Sequence, residues 1–207
     1  MIKIEKTDVY GWEAAIRGMR NPMNSWDKSD SAFMGGVGGQ FYIGENDLKL
    51  MRNLATAGND HGKFLRMINV TVDITAPLYW WKEFDTYKVG TVANSCSTMH
   101  KIAEKEFTLD DFSHEHMMES VVRCIMIPLI TCLNAQRYYF LETKSKEHWW
   151  QMIQLLPSSY NQLRTVQLNY AVLKNIYPAR KNHKLDEWHA FCKWIEELPY
   201  SELICGE

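Results

Sequence analysis

The run from Met67 to His100 constrains the chain most. Ile68, Val70, Val72 and Ile74 alternate with Asn69, Thr71, Asp73 and Thr75. Strict period-two alternation puts one set on a buried face and predicts a half-buried β-strand. Pro77 stops that strand and suits the first turn of a helix, where its missing N–H is not needed. The helix predicted after it carries Tyr79, Trp80, Trp81, Phe84 and Tyr87. It leaves through Val89-Gly90 into a polar loop, Asn94-Ser95-Cys96-Ser97. A strand, an aromatic helix and an Asn/Ser loop in this order present polar groups at the edge of a sheet.

The rest of the chain must supply what that edge would hold. With 207 residues, 46% of them hydrophobic, the chain is expected to form one globular domain over 1–207 with a full core. The formal charge of -2 gives no basic footprint for a DNA or RNA duplex. No apolar run is long enough to span a bilayer, and MIKIEKTDVY lacks the apolar core of a signal peptide. The expected location is the cytoplasm of a bacterial or phage-infected cell. Cys96, Cys124, Cys132, Cys192 and Cys205 have no CxxC spacing and read as free thiols in a reducing compartment. Eight Trp and ten Tyr suit stacking on planar ligands, and suit large cores and subunit interfaces equally.

Before the opening strand, Ile2 and Ile4 mark a short strand and Val9 to Met19 a helix. Arg17, Arg20, Asn21, Asn24, Ser25 and Asp27 follow, read either as a surface loop or as an anion-contacting one. The glycines of Gly35-Gly36-Val37-Gly38-Gly39 lack dinucleotide or P-loop spacing and read as a flexible loop. Phe41-Tyr42-Ile43 suggests a short strand, and Glu45 to Ala57 a helix stopped by Gly58. His61 lies in the polar loop before the alternating strand.

After it, His114 and His116 have HxH spacing but no obvious further metal ligand, so a solvated helix start is expected. Met117 to Phe140 reads as a central core helix, interrupted near Pro128, and Glu147 to Leu155 as a shorter one. Leu156-Pro157-Ser158-Ser159 is expected to open a helix carrying Tyr160, Leu163, Val166, Leu168, Val172, Leu173 and Ile176, capped by Ser158 or Ser159 and ended or kinked by Pro178. Arg180, Lys181, Asn182, His183 and Lys184 form a basic cluster before a last helix, Leu185 to Leu198. The fold class predicted is α+β, with helices predominating around a small sheet.

Two stretches resemble the flavin-dependent thymidylate synthases, which make dTMP from dUMP with FAD, a reduced nicotinamide and methylenetetrahydrofolate. The run Tyr87 to His100 is similar to the family signature RHRTASINEVSGRY, with Asn94 and Ser97 standing on its Asn and Ser. Pro77 matches the Pro that precedes the signature, and His61 the first His of GHxSPFEH. Leu156-Pro157-Ser158-Ser159-Tyr160 through Asn169, Leu173, Arg180, His183 and Glu187 resembles the LP…NxRxL…F…LR…HAQWEI helix pair. The resemblance covers about half the chain and implies a helix-rich domain around a small, mostly antiparallel sheet.

The departures are specific. Tyr87, Lys88 and Val89 replace the RHR triplet, Met99 and His100 replace its closing Arg-Tyr, and Ala171 replaces the Arg two residues after Asn169. Arg66 and Met67 stand where GHxSPFEH ends in Glu-His. Lysine holds phosphate as a point charge where arginine holds it bidentately. Arg17, Arg20, Lys82, Lys88, Arg164, Arg180 and Lys184 are the cations left to replace what is lost.

What the resemblance implies is one-carbon transfer to a pyrimidine deoxynucleotide, dUMP to dTMP or a related modification. No protein cysteine attacks the pyrimidine in this family, so Cys96 need not be catalytic. Arg180, Lys88 and Lys82 are expected at the nucleotide, with Ser97 beside the pyrimidine as the catalytic and substrate-binding hydroxyl. His61, Asn94, Asn169 and His183 are expected at FAD, with NADPH and methylenetetrahydrofolate as co-substrates. The family's active sites are shared between subunits of a homotetramer. The alternative is a homologue of the same fold without catalysis that binds a nucleotide or a protein partner.

Overall fold

The computed structural model describes residues 2–34 and 40–206. In chain order its elements are β1 (Lys3–Tyr10), α1 (Trp12–Arg20), β2 (Ala32–Met34), β3 (Gln40–Tyr42), α2 (Glu45–Thr56), β4 (Asn69–Pro77), α3 (Leu78–Phe84) and β5 (Val92–Ser95). There follow α4 (Thr98–Lys101), α5 (Glu119–Val121), α6 (Ile127–Thr143), α7 (Lys146–Leu155), β6 (Asn161–Asn169), α8 (Tyr170–Arg180), α9 (Asp186–Glu196) and α10 (Glu202–Cys205). Four strands make one sheet in the order β1-β4-β6-β5, and β2 pairs with β3 as a separate antiparallel hairpin. The fold is α+β, helix-rich around a small, mostly antiparallel sheet. The glycine-rich run 35–39 lies outside the described residues.

The alternating strand forms as its pattern requires. Ile68, Val70, Val72 and Ile74 are fully buried, while Asn69, Thr71, Asp73 and Thr75 are half-buried. The strand does not stop before Pro77 but runs through it, and Pro77 becomes the residue that caps α3.

The chain divides into two compact units. One comprises Met1–Lys3, Ile74–Thr86 and Asn94–Thr165. Here α3 buries Trp80, Trp81 and Phe84, with the Trp80 and Phe84 rings stacked at 5.1 Å. The first helical N–H groups of α3 find no partner within the helix, and two of them donate outward. Leu78 N donates to Tyr160 O at 3.0 Å and Tyr79 N to Ser158 O at 3.0 Å. A second cluster joins Ile102, Phe107, Phe112, Met126, Leu133 and Met152. Asn134 clamps it by bonding both the N–H and the C=O of Phe107, at 2.8 and 2.9 Å.

The other unit comprises Ile4–Asp73, Tyr87–Ala93 and Val166–Glu207. Its core gathers Met51, Leu65, Ile68, Val70, Tyr170, Leu173, Trp188 and Phe191, all buried. Trp12 meets Tyr170 edge-on at 5.3 Å, and the Tyr170 hydroxyl donates to Pro199 O. Arg20 and Asp47 form a buried pair at 2.6 Å, and Ser29 and Ser31 each donate to the same carboxylate at 2.6 Å. Arg20 therefore serves the fold, not an anion in a loop, and both Arg17 and Arg20 lie on α1.

Three expectations about elements change. Residues Asn161–Asn169 are strand β6, not the start of a helix; Val166 and Leu168 are buried while Thr165 and Gln167 are exposed, which is period two. Leu163 and Val166 mimic helical spacing, but the sheet takes this segment between β4 and β5. The helix begins only at Tyr170, capped by Asn169 and not by Ser158 or Ser159, and Pro178 lies inside it. The region Met117 to Phe140 contains a π-helical turn, Val122–Met126, that runs without a break into α6, and Pro128 follows it directly, where the widened turn accommodates a residue without an N–H. Finally, α6 is not a core helix: Leu133 is its buried residue, and Ile127, Tyr138, Tyr139 and Leu141 are exposed.

Candidate functional site

The segment between α3 and β5 supplies the site's first half. After α3, Lys88-Val89-Gly90-Thr91 form a turn closed by Thr91 N donating to Lys88 O at 3.4 Å. Gly90, third in the turn, has φ +79, a conformation that glycine adopts without a Cβ clash. The turn also lies close against α8. A Cβ on Gly90 would stand 3.1 Å from Val172 Cγ2 and 3.2 Å from Asn169 Nδ2. Asn169 is fixed in turn by its own side chain, whose Oδ1 accepts from Val172 N at 3.1 Å and caps α8. The Thr91 hydroxyl oxygen is buried without a hydrogen-bond partner.

The second half is at the far end of α8. The Arg180 Nε donates to the Tyr87 hydroxyl at 2.8 Å. Its guanidinium lies 5.5 Å over the Tyr87 ring and 4.6 Å over the Trp188 ring. Long helical side chains lean toward the helix N-terminus, so Arg180 reaches back along α8 toward the turn. Trp188 is fully buried and meets Tyr87 edge-on at 6.2 Å. The His183 ring lies 6.2 Å from Trp188, and its Nδ1 accepts from Leu185 N at 3.2 Å, which places the proton of the neutral ring on Nε2. Lys88 is exposed beside Tyr87.

Thus Arg180 and His183 meet around Tyr87 and Trp188 at one end of α8, while Asn169 lies beside Gly90 at the other end. His61, in the same unit, is exposed at the residue before a 3-10 helix, Gly62–Met67.

Lys82, Asn94 and Ser97 belong to the other unit. Lys82 is exposed on α3, and Asn94 lies exposed in β5, not in a loop. Ser97 Oγ accepts from His100 N at 3.3 Å and caps α4. Arg164, one of the cations considered as a replacement, is held by Asp85 at 2.7 Å and stacks 4.2 Å over Trp81. The five cysteines are free thiols. Among the described residues, no group of three or more His, Cys, Asp or Glu could hold a metal ion, and His114 Nδ1 bonds Phe112 O at 2.8 Å.

The sequence reading did not single out Tyr87 or Trp188 as site residues, nor Thr91. The one signal pointing to Tyr87 is its position at the head of the altered RHR triplet.

No protein-family model matches the sequence, and no curated protein matches it. The fold is that of the flavin-dependent thymidylate synthases. It is similar to thymidylate synthase X from Helicobacter pylori, solved with FAD and dUMP, at 16% identity and a TM-score of 0.70, over 100% of this chain and 98% of that one. It is also similar to the UMP/dUMP methylase PolB from Streptomyces cacaoi, solved with 5-Br dUMP, at 15% identity and a TM-score of 0.62, over 95% of this chain and 89% of that one. No helix among the described residues is long and apolar enough to cross a membrane.

Proposed function

We propose that the chain is a divergent flavin-dependent enzyme that transfers one carbon to a pyrimidine deoxynucleotide, dUMP to dTMP or a related modification. The observation that carries this reading is the Arg180 cluster. The helix whose N-terminus is capped by Asn169 ends in an arginine held by Tyr87, the residue that stands on the first arginine of the family signature. A guanidinium oriented by the Tyr87 hydroxyl and two aromatic faces loses less freedom on meeting an anion than a mobile side chain does.

In this reading Arg180 and Lys88 meet the nucleotide phosphate, and Asn169, His61 and His183 border FAD. The resemblance also gives roles to three residues of the other unit: Lys82 at the nucleotide, Ser97 at the pyrimidine and Asn94 at FAD. The residues present fit such a group in two respects. Gly90 lets the backbone turn lie close to Asn169, and the buried Thr91 hydroxyl lacks a partner. Bound FAD, with NADPH and methylenetetrahydrofolate as co-substrates, would supply the redox and one-carbon chemistry. The chain's own residues orient the two planar ligands and balance phosphate charge, so no protein nucleophile is required.

A homotetramer belongs to the same proposal. The π-helical turn and α6 expose Ile125 at 59%, Ile127 at 50% and Tyr138 at 59%. A helix that leaves several large apolar side chains exposed is suited to burial against another chain.

Incubation of the purified protein with FAD, followed by desalting, tests the proposal. A retained visible flavin band that Arg180→Ala does not remove, together with dUMP binding that Arg180→Ala weakens at least tenfold, is expected. Protein that stays colourless after FAD would overturn it.

A further inference from the structure

On the face of α8 away from Arg180 lies a cavity of about 680 Å³. It is bounded by the C-terminal half of α2, the last two turns of α8, and α10. Lys174, Tyr177, Pro178 and Lys181 recur at positions three and four apart, which is one stripe of a helix. At about 100° per residue that stripe is centred roughly opposite Asn169, Val172 and Arg180. The cavity and the Arg180 cluster therefore lie on different faces of α8.

The lining of this cavity is unbalanced in charge. Lys49, Arg52, Lys174 and Lys181 face it, against one carboxylate, Glu202. Arg52 is paired with Glu202 at 2.8 Å. Three lysines remain around a single concavity in a chain whose formal charge is -2. Lys174 donates to Ala55 O, a carbonyl in the last turn of α2, and its ammonium has three donors to place. Burial pushes the Lys174 ammonium down from its ordinary value, the direction expected of a cation short of counter-charge. Lys181 lies 5.8 Å over the Tyr177 ring.

Beside the polar Asn53, Thr56 and Asn59, part of the remaining lining is apolar. Ala55, Pro178 and Ile204 line it beside Tyr177, whose hydroxyl donates to Glu196 at 2.7 Å and so fixes the ring. A fixed aromatic face beside three ammonium groups, in a cavity of the size that small ligands occupy, has the chemistry of a site for a planar group carrying phosphate. We propose that this cavity binds a phosphate-bearing metabolite of nucleotide size, with Lys49, Lys174 and Lys181 on the phosphates and Tyr177 and Pro178 against the planar part.

Cys205 lines the same cavity and reports on it directly. The test is site-resolved alkylation of the full chain, read by peptide mass mapping, with adenosine 5′-diphosphate and adenosine as probes. The diphosphate is expected to slow alkylation of Cys205 and leave the exposed Cys96, Cys124 and Cys132 unchanged. The double variant Lys49→Ala/Lys181→Ala removes two exposed side chains. It is expected to raise the half-protecting concentration at least about tenfold, while Arg180→Ala leaves it unchanged. Absence of protection at millimolar diphosphate, equal protection by adenosine, or protection unaltered in the double variant would each overturn the proposal. Protection lost in Arg180→Ala and kept in the double variant would move the ligand to the other face of α8 and overturn it as well.

Discussion

Arg180 and Tyr87 are 93 residues apart in the chain and joined by a 2.8 Å hydrogen bond from the guanidinium to the hydroxyl. The bond ties the turn after α3 to the end of α8. A tyrosine standing where the family resemblance expects an arginine holds Arg180, the side chain proposed for the phosphate.

Replacing Tyr87 by Phe keeps the ring and removes the bond. A neutral-to-charged hydrogen bond is worth about 1.5–3 kcal/mol, so dUMP affinity is expected to fall roughly ten- to a hundredfold. FAD retention is expected to be unchanged, because Asn169 and Gly90 are untouched. Calorimetric titration with dUMP checks it, and an unchanged affinity would remove Tyr87 from the site.

Gly90→Ala places a Cβ at φ +79 and within 3.2 Å of both Val172 and Asn169. The left-handed backbone alone costs about 1–2 kcal/mol, and the crowding pushes the turn off α8. Lower urea stability and weaker FAD retention are expected together. Loss of stability with full FAD retention would place the flavin elsewhere.

The buried Arg20–Asp47 pair predicts a pH dependence. Burial pushes the Asp47 carboxyl up, but hydrogen bonds from Ser29, Ser31 and Arg20 outweigh it and hold the group below its ordinary value of 3.8. A depressed folded value means that the charged form stabilises the fold above the ordinary value. That contribution is lost as pH falls through the lower folded value. Asp47→Asn is expected to cost about 3–5 kcal/mol at neutral pH by leaving Arg20 buried beside a neutral partner. Urea midpoints of the two proteins are expected to converge on acidification below about pH 4.

Assembly is tested at α6. Light scattering is expected to give four times the 24.3 kDa chain mass. Ile127→Glu, at an exposed position, is expected to reduce that mass while leaving the circular dichroism of the chain unchanged. A wild-type protein that is monomeric at all concentrations would remove the tetramer from the proposal.

Legibility differed between elements for physical reasons. Glu45–Thr56 and Asp186–Glu196 are read correctly because one face of each is apolar at helical spacing and buried. Asn161–Asn169 is misread because Leu163 and Val166 satisfy a helical pattern locally, while strand pairing, which no local pattern records, claims the segment. The polar residues of the site divide in the same way. Asn169 is legible as a helix-start residue once α8 is known to begin at Tyr170. Ser97 takes its expected role from the family resemblance alone, and that its hydroxyl caps α4 is seen only in the fold.

Taken alone, the sequence determines the buried face of the Met67–Pro77 run, the aromatic helix after it, the free thiols and the family resemblance. Alternation and helical spacing are local, and burial follows from them directly. Only the tertiary structure decides that Tyr87 meets Arg180, that Arg20 and Arg164 are bound to Asp47 and Asp85, and that four cations converge behind α8. Those relations join residues 27 to 93 positions apart, or several separate elements. A side chain's partner at that range is set by how helices and strands pack, and spacing along the chain carries no record of it.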